Sequence, residues 1–203
     1  MSYMIEGRGS KTCCKAKKWL YTRAEASKTL LQLLTDVNVD YLVGQVKAGA
    51  QMLQVFESHA EYLGEDLFNK FSLPFLIEIC SRVKKTLRDE NIDPVPMTVF
   101  AKGGHYALKS LASSGYDVIG LDWTIDPSVA REVCEQSGVT LQGNLDPCAL
   151  YAPKEELEAQ VKKMATKFGH KNWIANLGHG IYPDMDPESM ATFVNAVHNL
   201  EFP

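Results

Sequence analysis

The sequence lacks long apolar runs and an excess of positive charge, and each absence excludes a class of function. Its 203 residues contain 21 Lys and Arg against 25 Asp and Glu, which gives a formal net charge of −4. A net negative charge argues against binding to nucleic acid or to a membrane surface through general electrostatic attraction. No stretch approaches the ~20 apolar residues that cross a bilayer, and no signal-peptide pattern opens the sequence. We therefore expect a cytoplasmic protein with no nucleic-acid or membrane partner.

The cysteines are too few for a disulfide scaffold. The five cysteines are odd in number, and Cys13 and Cys14 are adjacent, which is a poor arrangement for a mutual bridge. The spacings C-x-x-C, H-x-C and H-E-x-x-H do not occur, so the common zinc signatures are missing. These features predict a reducing compartment, packing roles for the thiols and no metal site.

The remaining composition is that of a soluble globular protein. Hydrophobic residues make up 45% and charged residues 23% of the chain. A chain of this mass can bury about 70% of its surface, which is enough for one sizeable core. No Ser/Gly-rich linker or low-complexity segment interrupts the sequence, so we expect one domain over residues 1–203.

Short apolar runs alternate with longer helix-periodic stretches. The runs have the composition of strands covered on both faces. The six strand candidates are Ser2–Glu6, Gln51–Glu57, Met97–Ala101, Asp117–Leu121, Val139–Gln142 and Trp173–Asn176. The amphipathic helix candidates between them are Ala26–Ala48 (apolar face Leu30, Leu34, Val37, Tyr41), Leu73–Arg88 (Leu76, Ile79, Cys80, Val83, Leu87) and Lys154–Phe168 (Leu157, Val161, Met164, Phe168).

Capping signals agree with this alternation. Asp126 and Asp186 each precede a proline, the pattern of an N-cap followed by the first helical residue. Gly115, Gly138 and Gly169 stand where helices should end. Strand–helix alternation along the whole chain predicts an α/β protein with a parallel sheet.

Two parallel architectures compete, the doubly wound sheet and the (β/α)₈ TIM barrel. The residues after the first strand candidate, Glu6-Gly7-Arg8-Gly9-Ser10, do not form G-x-G-x-x-G, so the dinucleotide-binding interpretation is weak. A barrel needs eight strand–helix units, and about six can be placed here. We therefore predict an incomplete (β/α)₈ barrel with about six of its eight units.

In such a barrel the chemistry lies on loops that follow the strands, and every predicted strand ends in polar groups. His179 lies between two glycines, which leaves its imidazole projecting from the loop. Two interpretations are open: the imidazole transfers a proton or binds a ligand, or it has a structural role and donates a hydrogen bond to a nearby carbonyl. Lys102 is a Schiff-base candidate, but pairing with a carboxylate such as Asp122 is favoured.

The other strand-end residues have simpler interpretations. Asp122 and Asp146 each precede a helix, which favours capping. A hydroxyl that donates to a substrate carboxylate is the reasonable role for Ser58, because no nucleophile-elbow motif surrounds it. Tyr3 fits the core and the barrel mouth equally well. Structural roles are favoured for His59 and His105.

Seven strings of the sequence resemble the uroporphyrinogen decarboxylase family in order and spacing. They cover essentially the whole chain. They are Tyr3-Met4-Ile5-Glu6-Gly7, Leu42-Val43-Gly44-Gln45-Val46, Phe56-Glu57-Ser58-His59-Ala60, Phe100-Ala101-Lys102-Gly103-Gly104-His105, Gly120-Leu121-Asp122-Trp123, Gln142-Gly143-Asn144-Leu145-Asp146-Pro147 and Asn176-Leu177-Gly178-His179-Gly180.

The resemblance implies a cytosolic, homodimeric (β/α)₈ barrel that converts uroporphyrinogen III into coproporphyrinogen III without a metal or organic cofactor. By motif position, Tyr3 matches a tyrosine near the pyrrole-binding carboxylate and is the catalytic candidate. Ser58 and His179 match a serine and a histidine that contact the substrate. Protonation turns the pyrrole into its own electron sink, so the protein need supply only positioning and proton transfer.

The chain also departs from the family pattern. Family members are longer, and the arginine-rich Arg-Gln-Ala-Gly-Arg-Tyr loop and the pyrrole-chelating aspartate of their amino-terminal portion have no match here. Without those arginines an octa-anionic substrate loses most of its charge-assisted binding. Two hypotheses follow: a carboxyl-terminal fragment of a decarboxylase, or a short non-catalytic module that binds or dimerises. A corrinoid methyltransferase is a weaker third, because the zinc-ligating His-x-Cys arrangement is missing.

Overall fold

Helices and parallel strands alternate along the chain in the computed structural model, which describes residues 1–201. The chain divides into two units, Met1–Asp117 and the residues from Val118 onward. The α/β class is therefore confirmed. Within the described residues no helix is both long and apolar enough to span a membrane.

The first unit places two parallel strands among six helices. Strand β1 pairs with β2 in a register that runs from Leu53 opposite Met97 to Glu57 opposite Ala101. The elements are α1 (Ser2–Glu6), α2 (Cys14–Thr22), α3 (Ala24–Lys47), β1 (Leu53–Glu57), α4 (Glu65–Phe71), α5 (Leu73–Asp89), β2 (Met97–Ala101) and α6 (Leu108–Ala112), with 3₁₀ helices at Ala60–Tyr62 and His105–Ala107.

The second unit contains three parallel strands, in which β4 lies between β3 and β5. Strand β4 runs to Leu145, three residues past the predicted end. The elements are β3 (Val118–Gly120), α7 (Pro127–Cys134), β4 (Thr140–Leu145), α8 (Lys154–Phe168), β5 (Trp173–Leu177) and α9 (Pro187–His198), with 3₁₀ helices at Glu135–Ser137 and Pro147–Tyr151.

Two helix caps and the burial of β2, α5 and α8 agree with the sequence predictions, whereas α6 ends at Ala112, before Gly115. All five residues of β2 are buried, as expected for a strand covered on both faces. The Asp126 side chain accepts a hydrogen bond of 2.9 Å from the Ser128 amide, and Asp186 accepts one of 3.0 Å from Glu188. Both capped helices begin with proline. The predicted apolar faces of α5 and α8 are buried.

The prediction of a strand over Ser2–Glu6 is wrong. These residues form the helix α1, which Gly7 ends in a left-handed conformation (φ 76°) while its amide donates to the Tyr3 carbonyl over 3.0 Å. A short apolar run does not distinguish a strand from a turn of helix. The described chain therefore contains five strands, one fewer than the six expected.

The predicted apolar face of α3 is also wrong. Val37 and Tyr41 are 57% and 66% exposed. The buried side of the helix, which packs against α5, carries Ser27, Thr35, Val39, Leu42, Val43 and Val46. Apolar residues occur on two sides of α3, and the periodicity cannot tell which side its neighbour covers.

Candidate active site

A cavity of about 240 Å³ in the first unit brings together two of the three predicted site residues. Tyr3 on α1 and Ser58, directly after β1, both line it, and His59 lies beside Ser58. Tyr3 is 66% exposed, so it lies at the surface of the molecule. The cavity therefore offers a phenol and a hydroxyl as hydrogen-bond donors.

The loop after β1 is held by Glu57, the last residue of that strand. Its carboxylate accepts the Ser72 hydroxyl at 2.9 Å and the His59 amide at 3.2 Å. A carboxylate with these two donors acts as an anchor for the loop, because each bond restrains the backbone that carries Ser58.

A second support for the same loop comes from Tyr106. Burial raises the pKa of Tyr106 to about 12, so its phenol stays protonated at neutral pH. The phenol donates a hydrogen bond of 2.8 Å to the Ala60 carbonyl. Its role is therefore to hold the backbone two residues after Ser58.

Cys13 also lines the cavity, but its thiol is not expected to act as a nucleophile. Burial raises the pKa of this thiol, and the nearby Glu6 carboxylate raises it further. The thiolate is the nucleophilic form of cysteine. Cys13 therefore stays a protonated, buried side chain at neutral pH.

Lys102 is paired with a carboxylate, as its favoured interpretation predicts. Its ammonium lies 2.8 Å from Glu61, whereas the sequence suggested Asp122 as an example of the partner. The two segments are in close contact, because a Cβ added to Gly103 would lie 2.5 Å from the Glu61 Cβ. The ion pair favours a structural role for Lys102 over Schiff-base chemistry.

His179 follows β5 in the second unit and is exposed, as its place between two glycines predicts. Its ring makes an edge contact with Trp123, with centroids 6.0 Å apart. Gly178 permits this approach, since an added Cβ would lie 2.5 Å from the Trp123 amide nitrogen. The loop after β5 thus holds an imidazole outward against an indole.

The two aspartates after β3 and β4 organise their own loops. Asp146 caps the 3₁₀ helix that follows it by accepting the Cys148 amide at 2.9 Å, as predicted. Asp122, only 2% exposed, accepts the Thr124 amide at 2.8 Å within a turn. The cap of the next helix is Asp126, so the prediction that Asp122 caps a helix is wrong.

A larger groove of about 660 Å³ lies between the loop after β3 and helix α8. Its lining includes Lys163 and Lys167, and Lys167 forms an ion pair with Asp126. We place the candidate site at the smaller cavity, because Tyr3 and Ser58 line that cavity. Among residues 1–201 no group of three His, Cys, Asp or Glu side chains is arranged to hold a metal.

Two contacts within the cavity could not be predicted from the sequence. The Ser2 hydroxyl is 2.7 Å from the His59 Nδ1, and the His59 ring contacts the Tyr3 ring edge-on. The structural role favoured for His59 agrees with these contacts, but its partners depend on residues 2–6 being helical.

Comparison with known proteins identifies one family. Its model, "Uroporphyrinogen decarboxylase (URO-D)", matches residues 1–200. The uroporphyrinogen decarboxylase of Homo sapiens is 60% identical over 198 residues, covering 98% of this chain and 54% of that protein. Those of Salinibacter ruber and Schizosaccharomyces pombe are 54% and 49% identical, with 54% and 56% of their lengths covered and 98% of this chain in both cases. The chain spans about half the length of the curated relatives it matches.

A solved structure resembles the fold. A methyltransferase from Methanosarcina mazei superposes with a TM-score of 0.76 at 19% sequence identity, over 89% of this chain and 51% of its own. At that identity the likeness concerns the fold alone.

Proposed function

This chain belongs to the uroporphyrinogen decarboxylase family, and we propose that it forms part of an enzyme that decarboxylates uroporphyrinogen III to coproporphyrinogen III in haem biosynthesis. In each of four steps an acetate side chain loses CO₂ and gains a proton, which leaves a methyl group. The enzyme is a carboxy-lyase that needs no cofactor. The observation that carries the proposal is the meeting of Tyr3 and Ser58 at one cavity, within a chain that matches the family along its length.

The proposed fold is a (β/α)₈ barrel to which this chain contributes five strand units. Parallel strands interleaved with helices in both units support it. The relatives are about twice as long as the matched segment, which leaves room for the other units. In this fold the chemistry lies on the loops that follow the strands, and Ser58 and His179 lie on the loops after β1 and β5.

The proposed mechanism uses the substrate pyrrole as the electron sink. A proton added to the pyrrole carbon draws electrons from the breaking C–C bond as CO₂ leaves. A second proton then adds to the exocyclic carbon to complete the methyl group, and the ring carbon loses the first proton, so each step consumes one proton overall. Tyr3 holds its phenol beside the pyrrole, while Ser58 and His179 donate hydrogen bonds to substrate carboxylates. The role of these residues in the mechanism is to position the substrate.

The alternative is a short non-catalytic barrel fragment that binds or dimerises. The observation in its favour is the apolar side of α3, where Leu33, Val37 and Tyr41 are exposed. Such a face suits association with another protein chain. In the full-length form we propose a cytosolic homodimer.

The test joins the amino-terminal part of the human relative to residues 1–203 and assays the fusion with uroporphyrinogen III under anaerobic reducing conditions. Chromatography of the products resolves species with eight to four carboxylates. We expect coproporphyrinogen from the fusion and from a His198→Ala control, whose side chain is exposed on α9. A soluble, folded fusion that leaves the substrate unchanged would refute the enzyme and favour the binding module.

A further inference from the structure

The helix that carries Tyr3 cannot maintain its own position. Helix α1 has five residues, none of them buried, and its first turn has no side-chain cap. Helices of this length are unstable in isolation, because the cost of nucleation is not recovered by so few hydrogen bonds. The direction of the Tyr3 phenol therefore depends on contacts that other elements make with α1.

Each end of α1 is attached to a different neighbour. At the carboxyl end, the Glu6 carboxylate accepts the Ala16 amide of α2 at 2.9 Å. At the amino end, the Ser2 hydroxyl lies 2.7 Å from the His59 Nδ1. The second attachment joins α1 directly to the loop that contains Ser58.

His59 is well placed to hold this attachment because its own position is restrained. Its amide donates to the Glu57 carboxylate, and its ring packs against Tyr62 with centroids 5.7 Å apart. Its second aromatic partner is Tyr3, whose ring meets the His59 ring edge-on at 4.9 Å and an interplanar angle of 68°. The imidazole thus contacts two tyrosine rings and lies within hydrogen-bonding distance of the Ser2 hydroxyl.

We infer that His59 is a positioning residue that holds helix α1, and with it the Tyr3 phenol, at a set distance from Ser58. It acts through the Ser2 hydrogen bond and the Tyr3 ring contact. This inference rests on the proposed function for the importance of Tyr3, but the placement of Tyr3 can be measured without turnover.

The first experiment observes Tyr3 directly. Fluorotyrosine is incorporated at position 3 of the human-fused protein, and its fluorine NMR signal is recorded without substrate. We expect His59→Ala to shift and broaden the signal and Ser2→Ala to do so less. His59→Asn should give an intermediate signal, because asparagine places a polar atom near the Nδ1 position but lacks the ring that contacts Tyr3. His198→Ala is the matched control. An unchanged signal in His59→Ala overturns the inference.

The second experiment tests whether His59 acts through Tyr3. We expect His59→Ala to lower kcat/KM about tenfold, mainly through kcat, since a misplaced group loses its interactions with the transition state. In a Tyr3→Phe background the same change should cost less than about twofold. If His59→Ala lowers kcat/KM by the same factor in the parent and in the Tyr3→Phe variant, His59 acts independently of Tyr3.

The outcomes separate this inference from the proposed function. If the fused parent protein is folded but inactive, the decarboxylase proposal fails, and the fluorine signal still decides the role of His59. If His59→Ala does not fold, His59→Asn and Ser2→Ala carry the test. Equal Tyr3 signals in Ser2→Ala and the parent would then contradict a role for the hydrogen bond.

Discussion

Arg131 on α7 donates two hydrogen bonds, of 2.8 and 3.1 Å, to the backbone carbonyl of Phe168 at the last turn of α8. The same guanidinium reaches the carbonyls of Lys171 and Asn172, just before β5 begins. A cation at this point satisfies carbonyls that the helix leaves unpaired and complements the helix dipole. One side chain thus joins two helices to the start of a strand.

Replacement of Arg131 should therefore destabilise the second unit. We expect Arg131→Met to lower the free energy of unfolding by about 1–3 kcal/mol, because the carbonyls lose charged donors. Urea unfolding of the human-fused protein measures the change. Arg88→Met, on an exposed arginine at the end of α5, is the control and should leave stability nearly unchanged. Equal stability of the two variants would contradict the role given to Arg131.

Gly178 should tolerate no side chain. A Cβ there would lie 2.5 Å from the Trp123 amide nitrogen, so Gly178→Ala must displace one of the two loops. We expect a loss of about 1–3 kcal/mol in unfolding free energy and reduced activity as His179 moves. Gly180→Ala is the matched control on the other side of His179, because its added Cβ meets nothing within 4 Å. Thermal unfolding and turnover of both variants decide the prediction.

The role of His179 can be tested apart from folding. As a donor to a substrate carboxylate, its imidazole should contribute about 1.5–3 kcal/mol to binding or turnover. We expect His179→Ala to lose that contribution while its unfolding midpoint stays close to that of the parent. Normal turnover in a destabilised variant would show instead that the histidine is structural.

The Asp126–Lys167 ion pair should make stability depend on pH in the acid range. The Lys167 ammonium, followed by the Ser128 amide, lowers the pKa of Asp126 below its ordinary value of 3.8. The carboxylate therefore stabilises the fold above that pH, and the stabilisation disappears as the pH falls through the lowered pKa. Asp126→Asn keeps a capping residue but removes the charge. We expect it to be less stable than the parent at about pH 7, with a smaller difference at about pH 3, by urea unfolding.

The 203-residue chain made alone should self-associate and lack decarboxylase activity. Among the described residues, β1 pairs only with β2 and β5 only with β4, so each unit presents an open strand edge. In the first unit this edge lies at β1, because the segment of Tyr3 is helical and adds no strand. Co-expression with the amino-terminal part of the human relative should restore solubility and some activity.

Charges on the exposed side of α3 should reduce this association. We expect Val37→Lys combined with Tyr41→Lys to raise the monomer fraction in size-exclusion chromatography with light scattering, because both side chains are exposed and apolar. Asp40→Lys on the same helix is the control for charge alone. If the 203-residue parent itself proves monodisperse and active, the argument from the open edges of β1 and β5 is contradicted.

Local patterns were sufficient for the elements whose state is decided by neighbours in sequence. Strand β2 and helix α8 occur within their predicted bounds, and the caps at Asp126 and Asp186 form as expected. The reason is that amphipathic period, N-cap chemistry and β-branched composition act over one to four residues. The family was also accessible, since seven strings in fixed order need no coordinates to be compared.

Contacts between distant segments decided the rest. Helix α3 buries one of its two apolar sides because α5 packs against it, and Lys102 pairs with Glu61, which lies 41 residues away. The short helix over residues 2–6 is attached at its ends to Ala16 and His59. The proximity of His59 to Ser2 arises in the same way. A side chain's own sequence neighbourhood does not record which surface will be packed against it, so the support of Tyr3 became visible only in the folded chain.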